Sequence, residues 1–441
     1  MKYIATLIFA LLSVGTLSAQ VDNNSAALSE PEGVGNAELT PRSALLCYPS
    51  REQLEAADGS DFIVELESWQ RAEVENGVSY TTRFKRNYKL DDKEVVLRVE
   101  GANGAYSVRV NDKEVGYTSS GAGRSEFDLT KALQPNNNTI TITVFSDYAA
   151  REIEPAGVGE AAEPSFRRAL ILTPPRVAVA DFAVDTEFNQ RGEGVMNLDI
   201  VMQSFLLNSK VYEVYYELYS PDGAKVASGQ KELTTRMLSR DTVSFYARIP
   251  EVKAWSPEQP NLYNVVVYTK HQKRLREFTS HTIGFRTAEL GEDGNLEVNG
   301  APVELRIRDI EGTTTSAEEL IRIKDEGYNM VRPLRPQPDE FYALCDSIGI
   351  FVCPTADITS PGKDFAASPS NNPRWKSAYL WRTIDSYHST KLHPSVVMFS
   401  LGHDAQNGIC LYESYLAMKA LGDEKRPFVY PDAGGEWNTD L

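Results

Sequence analysis

SAEELIRIKDEGYNMV, Ser316 to Val331, decides how the second half of the chain is read. Ser316-Ala317-Glu318-Glu319 has the form of a capping box, in which a hydroxyl takes an orphan backbone N–H and a carboxylate reaches back to the cap. It predicts a helix start. Gly327 closes that helix, because glycine enters the left-handed conformation of a helix C-terminus at little cost. The charges alternating over 318–326 form its solvated face. Asn329–Val331 then reads as a short strand.

The same rhythm recurs downstream. Residues 338–348 read as a helix and Ile350–Cys353 as a strand. A longer helix fits 374–391, followed by a strand over Ser395–Leu401. Leu411, Tyr415, Met418 and Leu421 line one helical face that ends at Gly422, and Pro427–Tyr430 is another strand. With Val303–Ile307 as the first, this gives five strands. Buried strands alternating with helices indicate parallel α/β architecture. A closed (β/α)₈ barrel has eight strands, so a partial barrel is expected over 289–441.

Upstream the period changes to two. Thr139-Ile140-Thr141-Ile142-Thr143-Val144 alternates strictly, and turn signals such as Asn111-Asp112 and Pro135-Asn136-Asn137 separate the runs. Residues 61–175 therefore read as an antiparallel sandwich. A second block, 176–288, contains Val211–Tyr219 running into Pro221-Asp222-Gly223 and has the length of an immunoglobulin-like sandwich. The tyrosines of 212–219 are read as core and sheet face, in preference to a sugar platform. Residues 20–60 are polar and small, a linker or loosely held arm.

Residues 1–19 have the form of a signal peptide: Lys2, an apolar stretch to about Val14, then Leu17-Ser18-Ala19. No cysteine stands at the cleavage point, so no lipid anchor is indicated, and no later segment is apolar enough to cross a membrane. An exported protein, periplasmic or secreted, is expected. With 62 acidic and 45 basic residues the net charge is −17, which disfavours nucleic acid and anionic membrane surfaces as partners. Four cysteines are too few for a disulfide scaffold. Cys345 and Cys353 admit a disulfide, but two buried thiols is the preferred reading. No Cys/His spacing resembles a zinc site.

Ordered local motifs resemble those of family 2 glycoside hydrolases, most closely the β-galactosidase branch. They include Gly116-Tyr117 with Ser125–Thr130, Ser165–Leu170, Trp255–Tyr263, Ile283–Arg286, Val298–Pro302, Tyr328–Arg332, Leu344-Cys345-Asp346 and His393–Val396. The resemblance implies a jelly-roll sugar-binding domain, an immunoglobulin-like domain and a TIM barrel. It also implies a retaining mechanism, with an acid/base and a nucleophile about 5–5.5 Å apart at the C-terminal ends of barrel strands.

The family's acid/base is the Glu of S-L-G-N-E. Here the stretch is Ser400-Leu401-Gly402-His403-Asp404, so the resemblance places Asp404 at that position, with His403 for the Asn. The shorter side chain retracts the carboxyl by roughly 1–1.5 Å, a misplacement that can cost about a hundredfold in rate. The family nucleophile lies near the seventh strand, and the sequence stops at Leu441, past the fifth. No residue takes that role by correspondence. Asp309, Glu311, Asp357, Asp432 and Glu436 are the other strand-end carboxylates. The resemblance places Arg332, Asp357 and His403 at substrate-binding positions. The family's magnesium motif N-I-E-T-H-G is matched by Asp357-Ile358-Thr359-Ser360-Pro361-Gly362, which has lost both ligands, so no metal and no cofactor is expected. The V-R-x-S-H-Y-P and R-G-x-N-R-H-E passages lack their histidines. The loop 151–164, where the family carries an Asp and a Trp, has neither.

These readings converge on an exported homologue without hydrolytic activity that binds a carbohydrate or a protein. The open edges of five strands call for a cover: a second copy, a partner chain, or the arm at 20–60. The alternatives are a weak or altered retaining β-glycosidase using Asp404, and a truncated gene product without function.

Overall fold

The computed structural model describes residues 24–36, 38–56, 60–86, 90, 92–154, 163–189, 191–292, 294–312 and 316–441. The signal peptide read at 1–19 and most of the loop 151–164 lie outside the described residues. None of the described helices is long and apolar enough to cross a membrane.

The first domain is a sandwich of a six-stranded and a four-stranded sheet. The alternation at 139–144 works as expected. Ile140, Ile142 and Val144 are fully buried, while the threonines face outward in a hydroxyl ladder, with Ser79 2.7 Å from Thr143 and Thr81 3.0 Å from Thr141. The second domain packs a three-stranded sheet on a four-stranded one. Tyr212, Val214, Tyr216 and Leu218 point into its core. Tyr215 lies on the outer face, stacked on Tyr268 at 4.6 Å.

A small meander over Ala288–Leu290, Leu296–Val298 and Ala301–Pro302 leads to five parallel strands: β1 (Ile307–Ile310), β2 (Met330–Pro333), β3 (Phe351–Val352), β4 (Phe399–Ser400) and β5 (Phe428–Val429). β1, β2 and β3 pair in sequence order. Parallel bridges Val352↔Val396 and Thr355↔Ser400 join β3 to the β4 segment, and β4 pairs with β5. Four helices alternate with them: α1 (Ala317–Asp325), α2 (Asp339–Ile348), α3 (Lys376–Thr390) and α4 (Ile409–Lys419).

α1 starts and stops as its residues dictate. Ser316 Oγ accepts from Glu319 N at 3.2 Å. At the other end Gly327 has φ +92°, its N–H reaches Lys324 O at 3.0 Å, and Tyr328 N–H reaches Ile323 O at 3.3 Å. Those two bonds make a Schellman motif. Cys345 and Cys353 are buried free thiols.

Two readings need correction. The first barrel strand is Ile307–Ile310 and not Val303–Ile307, because Val303 and Leu305 pack on the cluster around the meander and Trp255. Secondly, the arm is not loosely held. Its short strand Gly35–Asn36 pairs with Tyr117 and Thr118, and Leu28 is a member of the barrel core cluster. Further on, Ser43 N–H bonds Asp181 Oδ1 at 3.1 Å, Tyr48 bridges to Phe278, and Arg51 pairs with Glu217 at 2.5 Å. The arm crosses all three domains through backbone bonds and isolated ion pairs, which leave little trace in composition.

Domain seams carry buried charge. The His393 side chain is 2% exposed, with Nδ1 2.6 Å from Asp346 Oδ2 and Nε2 3.3 Å from Asp339 Oδ1. Burial alone would lower its pKa; the charge of Asp346 and hydrogen bonds to both carboxylates outweigh it and hold the imidazole at about 10. An unfolded histidine titrates near 6.5. The folded pKa is raised, so this stabilisation is complete below about pH 6.5 and is lost as pH rises toward 10. His393→Leu, which strands Asp346 as a buried charge, is expected to cost about 3–5 kcal/mol at pH 6. Urea midpoints from pH 6 to 10 check this: the wild-type advantage shrinks across the window, and an equal gap at both ends contradicts it.

Candidate functional site at the strand tips

The chain leaves β4 through Leu401 and Gly402. Gly402 has φ +153°, and a Cβ there would lie 3.0 Å from Ile358 O, so only glycine lets the strand end pass so close to the loop after β3. His403 N–H donates to Ile358 O at 3.0 Å. Its side chain is 15% exposed, with Nδ1 3.5 Å from Asp404 Oδ2. Its Nε2 is buried without a partner among the described residues.

Asp404 adopts φ +47°, a left-handed conformation that costs a non-glycine residue roughly 1 kcal/mol. The turn is held from three sides. Asp404 N–H donates to Asp432 Oδ2 at 2.7 Å, Asp404 O accepts from Ser360 N at 3.1 Å, and the Tyr430 hydroxyl accepts from Ala405 N at 3.3 Å and donates to Gln406 O at 3.1 Å. The Asp404 side chain itself is 68% exposed.

Arg332, on β2, grips Asp309 of β1 with both arms of its guanidinium, Nε to Oδ1 at 2.7 Å and Nη2 to Oδ2 at 2.8 Å. That bond raises the pKa of Arg332, and burial pulls the other way. Arg332 lies within electrostatic reach of Asp432, so the tips of β1, β2, β4 and β5 share one charged patch. Asp357 follows β3. It is 2% exposed, and its Oδ1 has no partner among the described residues. Its charge acts on Glu154 and Tyr148 of the first domain. Glu311 and Glu436 are exposed.

Glu154 was missed by the sequence reading, which looked in 151–164 for an Asp or a Trp. It is 4% exposed, takes a hydrogen bond from the Tyr148 hydroxyl at 2.7 Å, and pairs with Arg382 of α3. Burial, aided by Asp357 and opposed by Arg382, raises its carboxyl to about 7. The available signal was an acid between Ile153 and a proline, too weak to separate it from a surface residue.

The residues at the family's magnesium positions do not fit that ion. Thr359 is 2% exposed and its N–H is spent on Ile153 O at 2.9 Å, while Pro361 offers no side-chain donor. Magnesium prefers carboxylate oxygens in near-octahedral array. Among the described residues no group of three or more His, Cys, Asp or Glu is placed to hold a metal ion.

Three family models match in the order of the domains: glycosyl hydrolases family 2, sugar binding domain, over 61–156; glycosyl hydrolases family 2 over 177–286; and the family's TIM barrel domain over 312–440. The chain belongs to glycosyl hydrolase family 2. Among curated relatives, a β-galactosidase of Priestia megaterium is 26% identical over 363 residues, 77% of this chain and 35% of that protein. One of Vibrio vulnificus is 27% identical over 359 residues, 77% of this chain and 34% of its own length. The chain thus spans about a third of the relatives it matches. Among solved structures, Bacteroides uniformis β-glucuronidase 2, covalently bound to cyclophellitol-6-carboxylate aziridine, superposes with a TM-score of 0.68 at 16% identity, over 90% of this chain and 52% of that one. A family 2 member from Bacteroides cellulosilyticus gives 0.67 at 17% identity, over 80% of this chain and 50% of the other.

The left-handed turn gives a direct check. Asp404→Gly removes the strain and is expected to leave stability unchanged or raise it by up to about 1 kcal/mol. Asp404→Val, β-branched at positive φ, is expected to lower it by about 1–3 kcal/mol. Denaturant midpoints read both. A Gly variant as unstable as the Val variant would show that the side chain, not the turn, matters.

Proposed function

We propose that this chain is an exported family 2 homologue that binds a glycan or a protein and does not hydrolyse glycosides. The exposure of Asp404 carries the reading. Retaining hydrolysis asks one carboxyl to hold a proton for the leaving oxygen and a second, about 5–5.5 Å away, to attack. Enzymes keep the first carboxyl in its acid form by burying it in an apolar pocket. Asp404 stands in solvent, and its turn is fixed through its backbone rather than its carboxylate. Arg332 adds support: both arms of its guanidinium are engaged by Asp309, which leaves it poorly placed to grip a substrate. Export rests on the leader pattern of residues 1–19. The relatives' activity on β-galactosides is where this reading starts, and the altered tip residues are why it departs.

One observation favours a weak β-glycosidase instead. Asp404 and Asp432 are neighbours on the tips of β4 and β5, and two close carboxylates are the raw material of glycoside hydrolysis. Chromogenic β-galactosides and β-glucuronides decide between the two. We expect release no faster than the buffer rate over days, in wild type and in Asp404→Asn alike. Release by wild type that disappears in Asp404→Asn would establish the glycosidase and overturn the proposal.

A further inference from the structure

One end of the second domain differs in chemistry from the rest of this acidic chain. Three connections meet there. The first leads into the strand Lys210–Tyr219, the second joins Lys225–Thr235 to Arg240–Ile249, and the third joins Tyr263–His271 to Arg274–Ile283. They are neighbours in space. Leu238 N–H donates to Leu206 O at 3.0 Å, Thr235 Oγ1 donates to Lys210 O at 3.2 Å, and His271 Nδ1 lies 2.8 Å from Val211 O.

Large apolar side chains stand out from all three. Leu207 is 74% exposed, Met237 56% and Leu238 58%, with Val211 and Leu275 close behind. Single exposed apolar residues are ordinary, but a cluster of them marks a contact surface. The backbone holds them out at a cost. Leu238 has φ +46°, a left-handed conformation unfavourable for any residue with a Cβ. The third connection is a two-residue turn, where Asn-Gly is the usual choice. Here Gln272 and Lys273 take its positive φ angles, +50° and +64°, and set a cation at the apex.

The charge is equally local. Residues 206–211, 235–239 and 271–275 carry Lys210, Arg236, Lys273 and Arg274 and no carboxylate, in a chain of net charge −17. Arg236 is paired with Asp241 at 2.7 Å. Lys210, Lys273 and Arg274 make no ion pair among the described residues. The next carboxylates along the first strand pair, Glu213 and Glu232, face each other two residues behind Val211.

Apolar side chains ringed by unpaired cations complement an anionic bilayer, whose acyl chains take the first and whose phosphates take the second. The charge of the whole chain opposes such a surface. Screening in physiological salt acts over about 8 Å, however, so the sign of the face that meets the bilayer decides. Shape favours lipid over protein. Hairpin ends are convex, and a protein partner would need a matching hollow for each side chain, whereas a bilayer needs none. Glu213 and Glu232 set the depth. Two residues of strand rise about 6.6 Å, within the roughly 5–10 Å that interfacial elements penetrate.

We propose that this end of the second domain docks reversibly on an anionic phospholipid bilayer, with Leu207, Met237 and Leu238 among the acyl chains and Lys210, Lys273 and Arg274 at the phosphates. This docking does not depend on whether the strand tips hydrolyse a glycoside.

Co-sedimentation of the full chain with vesicles tests it, using phosphatidylglycerol mixed with phosphatidylcholine and phosphatidylcholine alone. Two double variants are compared with wild type: Met237→Ser with Leu238→Gly, and Lys273→Glu with Arg274→Glu. All four positions are exposed, the glycine suits the positive φ, and near-ultraviolet circular dichroism verifies the fold. Wild type is expected to pellet with the anionic vesicles and far less with the neutral ones. Either folded double variant is expected to bind the anionic vesicles about tenfold more weakly or worse. No pelleting with anionic vesicles overturns the docking. Pelleting that is equal in wild type and both variants is carried elsewhere in the chain, residues 1–19 included, and also overturns it. Self-association without lipid that the same variants abolish would make this end a protein contact and would likewise overturn the membrane assignment.

Discussion

The Asp346 carboxylate is the point from which the barrel half is positioned. One oxygen holds the His393 imidazole at 2.6 Å and the other takes the Ser395 N–H at 2.9 Å, fixing where the segment leading to β4 begins. The backbone carbonyl of Asp346 accepts the indole N–H of Trp255 at 2.9 Å, and His281 packs edge-on against His393 at 5.2 Å. Trp255 and His281 belong to the second domain. One residue at the end of α2 therefore joins a helix, a strand and the neighbouring sandwich. A buried charge pair is costly to desolvate, and a dense set of partners such as this offsets that cost.

The first domain is attached by the same device. The Arg382 guanidinium is fully buried, bonded to Glu154 and to Ser119 O at 2.8 Å. Glu126, in turn, sits between Arg42 of the arm at 2.6 Å and Arg98 at 2.7 Å. Those cations hold its carboxyl well below the usual range against the opposing effect of burial. Such pairs add little stability relative to apolar packing, but they are demanding in geometry, and that suits seams that must dock in one way. The seams are densely partnered while the strand tips are exposed.

Much of this was readable from the residues because it is local. Thr139–Val144 shows its buried face by alternation, and Gly327 and Ser316 mark the two ends of α1 by backbone chemistry alone. The start of the barrel was not readable. Val303 and Leu305 look like a strand, but they serve the meander and Trp255, a contact that only tertiary packing creates. The arm is held by single residues: Leu28 joins a core cluster, and Ser43 pairs with Asp181, 138 positions away. At the tips, position was legible and environment was not. Asp404 could be placed after β4, while its exposure and left-handed turn follow from Asp432 and Ser360, which arrive from other loops. Glu154 gave only a weak signal, because an isolated Glu acquires meaning only from what surrounds it.

Under the proposed function, the strand tips do not form a retaining glycosidase site. Such a site traps an electrophilic sugar analogue as a covalent adduct on its nucleophile. Bacteroides uniformis β-glucuronidase 2 is covalently bound to one such reagent, cyclophellitol-6-carboxylate aziridine. The decisive measurement is the intact mass of this protein after incubation with gluco-uronic and galacto-configured aziridines. The account predicts an unchanged mass. A single stoichiometric adduct, mapped to a carboxylate at the strand tips, would contradict it.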